Sequence, residues 1–130
     1  MGFSEGAIAA ATYRGDAVDA RVIEGWTCHA GWPEYRGLNG PAAQPVLALV
    51  AEDDPWFAAT GLHGDCGEFM GPPSTSRRSV VFRPPHPAAS QHDLLWHADA
   101  RLLLLGFLDE LSHRDRAGGP DRRPAANPKE

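Results

Sequence analysis

A serine set between two glycines, Gly2-Phe3-Ser4-Glu5-Gly6, is the first group in this chain able to do chemistry. The spacing G-x-S-x-G suits a nucleophile carried on a tight turn between a strand and a helix, where the chain adopts unfavourable backbone angles and neighbouring segments come close. Residues without a Cβ on both sides of the serine fit such a turn. A serine hydroxyl is a weak nucleophile until a base takes its proton and an acid orients that base. Groups for both tasks follow in chain order. Glu52-Asp53-Asp54 places three carboxylates directly before Pro55, and His86, His92 and His97 come later. A second chemistry is fainter. Cys28-His29 and His63-x-x-Cys66 carry the ligand types that zinc prefers, but they lack the C-x2-C regularity of a structural site, so no metal or other cofactor is expected. Two cysteines close one disulfide at most, too few for a disulfide-built scaffold, and both are read as free, partly buried thiols.

The elements that would position these groups alternate. Ala7 to Tyr13 reads as a helix directly after the serine, its Ala7-Ile8-Ala9-Ala10-Ala11 run being helix-favouring and apolar. Residues 20–26 form a short β-favouring segment, and Thr27 to Gln44 is loop chemistry with a helical turn at Pro33 to Arg36. Pro45 to Ala51 is a continuous apolar run, the signature of a parallel strand covered on both faces. The three carboxylates stand just past its C-terminal end, the edge at which open α/β sheets gather their catalytic groups. A helix is expected near 62–70, a third strand at 79–83, and a loop from Pro84 to His92. Asp93 to Ser112 holds the last helix, starting near 98, with Arg101, Leu104, Leu105, Leu108 and Leu111 on one stripe widened by Leu103 and Phe107. Residues 112–130 are polar and rich in proline and glycine, a disordered tail.

The 130 residues suit a single domain. A formal charge of -5, from 12 basic against 17 acidic side chains, argues against a nucleic-acid or anionic-membrane surface. No apolar run reaches membrane-spanning length and no basic, signal-like start follows Met1, so the default placement is cytoplasmic. Trp26, Trp32, Tyr35, Trp56, Phe57 and Phe69 suggest an apolar pocket.

Taken together, these stretches resemble the C-terminal half of an α/β hydrolase, most of all its dienelactone hydrolase-like branch. The resemblance rests on the elbow Met1 to Gly6, on the strand and acid loop Pro45 to Phe57, and on His92-Asp93-Leu94-Leu95 followed by a helix carrying Gly106-Phe107-Leu108. It covers roughly residues 1 to 111 and reproduces the family's chain order of serine, acid and histidine. It implies a partial α/β-hydrolase fold of about three parallel strands with flanking helices. It also implies a serine-type hydrolase of a small ester or lactone. Ser4 would attack the carbonyl, His92 would carry the proton, and Asp54, which directly precedes the proline as the family's acid does, would orient the imidazole. The backbone N–H of Glu5 would supply one oxyanion donor. Asp53 is the alternative acid, and His86 or His97 the alternative base. Dienelactone hydrolases proper use cysteine where this chain has Ser4, which leaves the reaction class intact but opens the substrate.

The family also places strands and a second oxyanion donor before the elbow, whereas this chain starts one residue ahead of it. The resemblance therefore implies a truncated or misplaced start, with little or no turnover of p-nitrophenyl acetate or dihydrocoumarin by these 130 residues. The alternative function is a truncated, non-catalytic α/β-hydrolase fragment. The partner expected is a small-molecule ester or lactone, with neither nucleic acid nor membrane, and the oligomeric state is left open.

Overall fold

The computed structural model describes residues 1–58, 60–72 and 74–118. Four strands form one sheet: β1 (Gly2–Phe3), β2 (Arg21–Glu24), β3 (Val46–Ala51) and β4 (Arg77–Phe82). They lie side by side in chain order, and every pairing is parallel, with Gly2 opposite Ile23, Val22 opposite Leu47 and Leu49 opposite Val80. Three helices accompany them: α1 (Glu5–Thr12), the single turn α2 (Pro55–Ala58) and α3 (Ala98–Gly118). The chain is thus of the α/β class with a parallel sheet. The expected three strands become four because Gly2 and Phe3 pair with β2, and a two-residue strand has too few residues to show any hydrophobic period.

Parallel pairing explains the apolar run at β3, which is buried along its whole length. Successive side chains leave a strand on opposite faces. Val46 and Ala48 accordingly join Ala7 and Ala11 of α1 and Ile23 of β2 in one core. Leu47, Leu49 and Ala51 join Val22, Phe82 and, from α3, Ala100 and Phe107 in the other. The sheet separates these two cores, with α1 on one face and α3 on the other.

Several expected elements move. The helix near 62–70 is only a 3-10 turn at Cys66–Phe69, since Gly61, Gly64 and Gly67 weaken a longer helix and Asp65 caps this short one through the Gly67 N–H at 2.6 Å. The last helix begins at Ala98, as expected, after a separate 3-10 turn at Leu94–Trp96. It continues past Ser112 to Gly118, so 112–118 is helical rather than tail; the rest of the expected tail lies outside the described residues. Its core-facing stripe is buried Ala100 and Phe107 with the half-buried Leu103, Leu104 and Leu111, whereas Arg101, Leu105 and Leu108 of the expected stripe face solvent. The expected free thiols are also corrected: Cys28 and Cys66, both fully buried, are joined in a disulfide with their Cα atoms 4.9 Å apart. Their sulfurs therefore offer no thiolate to a metal. Among the described residues no helix is long and apolar enough to cross a membrane.

Candidate active site

The elbow forms as its sequence requires. Ser4 stands between β1 and α1 with φ 55° and ψ -117°, a conformation that costs a non-glycine residue on the order of 1–3 kcal/mol and is held by its surroundings. The hold is visible: the Ser4 N–H donates to the Glu24 carbonyl of β2 at 3.0 Å, and the Ala7 N–H donates back to the Ser4 carbonyl at 3.0 Å. The two glycines are not equivalent. A Cβ on Gly2 would lie 2.0 Å from the Gly6 carbonyl oxygen, so only glycine fits there, whereas a Cβ on Gly6 would meet nothing within 4 Å. The close approach behind the motif therefore explains its first glycine and not its second.

The acid and the histidine arrive from the last two strands, β3 and β4. Asp54 follows β3 and is 1% exposed. Its Oδ1 accepts the Trp56 N–H at 2.9 Å, where α2 begins, leaving Oδ2 for a second partner. That partner is His92, on the loop after β4, with Nδ1 2.7 Å from Asp54 Oδ2 and Nε2 2.9 Å from Ser4 Oγ. A proton on Nδ1 that donates to the carboxylate leaves Nε2 as the acceptor for the Ser4 hydroxyl. Residues 88 positions apart are thus joined in one hydrogen-bonded chain at the C-terminal edge of the sheet.

The alternatives are engaged elsewhere. Asp53 is exposed, and its backbone N–H donates to Ala89. His86 accepts the Ala88 N–H on Nδ1 at 3.0 Å and meets Asp99 through Nε2 at 2.7 Å, which fixes it as a cap of the turn at Pro87–Ser90. His97 lies with its ring 6.2 Å from that of His86.

Around the serine runs a cleft of about 360 Å³ lined by Phe3, Glu5, Ile8, Trp26, Trp56 and Phe57 with Gly25, Ser4 and His92. Its size fits a small organic molecule. Of the six aromatics expected to line a pocket, Trp26, Trp56 and Phe57 do so. Trp32 and Tyr35 are exposed and meet edge-on with ring centroids 6.4 Å apart, and Phe69 packs on His29 at 5.0 Å. The His92 ring is set among Phe3, Trp56 and Phe57, with ring centroids at 5.2, 5.5 and 5.9 Å. Glu5 opens α1, where the first N–H groups have no partner inside the helix and point the positive end of its dipole at the cleft.

Two buried charges escaped the sequence reading. Arg21, 3% exposed, donates to the Ala10, Tyr13 and Gly15 carbonyls and to Gln44, tying the C-terminal end of α1 to β2. Glu24 is the other. Both sit in a segment that reads only as a short β-rich run, and a residue's partners many positions away leave no local trace. No protein-family model, no curated protein and no solved structure matches the chain.

Proposed function

We propose that this chain carries the nucleophile, base and acid of a serine hydrolase acting on a small ester or lactone, built on the partial α/β-hydrolase fold that the resemblance implies. The observation that supports it most is the unbroken chain from Ser4 Oγ through His92 to the 1%-exposed Asp54, with Ser4 in a strained conformation beside an open apolar cleft. A structural serine has no need of that strain or of a histidine already held as an acceptor.

The chemistry follows from the geometry. Ser4 Oγ attacks the ester carbonyl carbon while its proton passes to His92 Nε2, and Asp54 stabilises the resulting imidazolium. The carbonyl oxygen becomes an oxyanion facing the start of α1, where the Glu5 N–H donates to it. Collapse breaks the bond to the leaving alcohol, which takes the proton from Nε2, and leaves an acyl-Ser4. Water then surrenders a proton to Nε2, attacks the acyl carbon, and releases the carboxylic acid with Ser4 restored. A lactone gives the same steps with both products on one molecule.

Acylation is the step to measure. Even where turnover is slow, a single exposure to p-nitrophenyl acetate should leave an acetyl ester on the Ser4 hydroxyl, located by fragmentation of the peptide Met1 to Arg14 and so told apart from acetylation of the Met1 amine, and Ser4→Ala should remove it. No acetyl ester at Ser4 would refute the assignment.

A further inference from the structure

Glu24 is a carboxylate buried to 1% exposure at the C-terminal end of β2, and the chemistry above does not use it. Burying a carboxylate is costly unless it is hydrogen-bonded or paired. Glu24 has no ion pair with Lys, Arg or His among the described residues. Its Oε1 instead accepts two backbone N–H groups, from Leu94 at 2.9 Å and Leu95 at 3.1 Å, 70 and 71 positions along the chain. These are the residues that follow His92-Asp93. The main chain of the same glutamate serves the other partner, since its carbonyl accepts the Ser4 N–H at 3.0 Å. Its neighbour Gly25, at φ +68°, lies against the histidine, where an added Cβ would stand 3.1 Å from the His92 carbonyl and 3.3 Å from Cε1. One residue thus bonds the elbow through its backbone and the histidine loop through its side chain.

Resting on the serine-hydrolase reading, we propose that Glu24 is a positioning residue that sets the distance between the His92 loop and Ser4. That loop runs from β4 to α3 without a strand to pair with, so its register against the sheet depends on contacts of this kind. An apolar side chain would fill the same volume but leave the Leu94 and Leu95 N–H groups without their acceptor, so the carboxylate's task lies in those two bonds to the histidine loop. Burial pushes the Glu24 carboxyl above its ordinary range, the two N–H groups pull it back, and the neighbouring Asp93 pushes it up again. A neutral glutamine keeps the acceptor oxygen at the same reach, and aspartate withdraws it by one methylene.

The test is the rate at which a fluorophosphonate labels Ser4, per folded molecule, in the full chain and in Glu24→Leu, Glu24→Asp and Glu24→Gln. Misplacing the base by about an ångström should slow labelling roughly 10²-fold in the leucine and aspartate variants, while glutamine restores it to within about tenfold. A glutamate that only supports the fold would lower the folded fraction and leave the rate per folded molecule unchanged. Should the leucine variant fail to fold, the aspartate variant decides. Folded leucine or aspartate variants that label at the parent rate, or a glutamine variant as slow as leucine, would overturn the role of Glu24 and leave Ser4 in place. A parent chain that does not label at Ser4 would overturn the hydrolase reading itself, and the role of Glu24 with it.

Discussion

Asp54 and Asp53 stand side by side with opposite fates, and that contrast gives the sharpest residue-scale expectation. Asp54 holds Nδ1 of His92 at 2.7 Å and is closed to solvent, whereas Asp53 is exposed. Asp54→Asn should leave His92 in the wrong tautomer and slow Ser4 labelling by up to about 10⁴, with Asp53→Asn within about twofold of the parent. Equal effects would show that the acid is misassigned. The glycines of the elbow divide in the same way. Gly6 lies inside α1 with open space around it, so Gly6→Ala should raise stability by about 0.5–1 kcal/mol in a denaturant titration, while Gly2→Ala should lower it by at least about 1–3 kcal/mol. Glu24 adds a pH dependence of known sign. Its folded-state pKa is raised, so its contribution to stability is full below the ordinary glutamate value of 4.5 and is lost as pH rises through the folded value. Glu24→Gln has no such proton, and its denaturant midpoint relative to the parent should therefore climb over that rise; a constant difference would exclude a raised pKa. The gathering of Ser4, Asp54 and His92 was legible in the sequence because the proposed nucleophile, acid and base follow strands in a recognisable order. Glu24 and Arg21 were not, because what keeps a buried charge in place is its partner, and these partners lie on other segments.

At the scale of elements, the central strand was readable and the helices only partly so. Pro45 to Ala51 was legible as a buried parallel strand because both of its faces are apolar, and β4 needed only a shift of bounds. Helix α3 shows why pattern alone is insufficient. Leucines at 102, 103, 104, 105, 108 and 111 surround most of its circumference, so spacing admits more than one stripe, and the core chose the one centred on Phe107. Phe107→Ala should therefore cost about 3–5 kcal/mol, and Leu105→Ala, at an exposed position, less than about 0.5 kcal/mol, both read from denaturant midpoints. The reverse ranking would restore the stripe expected from sequence.

For the whole molecule, the disulfide lies in the first core, against one wall of the cleft that holds Ser4. Cys66 Sγ lies 3.6 Å from the Trp26 carbonyl, and Trp26 is a wall of the cleft that packs edge-on to Phe57 at 5.7 Å. Closing a loop of 38 residues should stabilise the fold by about 3–4 kcal/mol in the chain-entropy account, so Cys28→Ala with Cys66→Ala should lower the Tm markedly; an unchanged Tm would mean that the bond does not form. The central claim is that Ser4 is a nucleophile activated by His92. It is tested most directly by treating the chain and its His92→Ala variant with a fluorophosphonate and sequencing the modified peptide by mass spectrometry. The account predicts a phosphonyl group on Ser4 in the parent and a labelling rate at least about 10²-fold lower without the histidine; a parent left unmodified at Ser4, or modified at the same rate without His92, would contradict it.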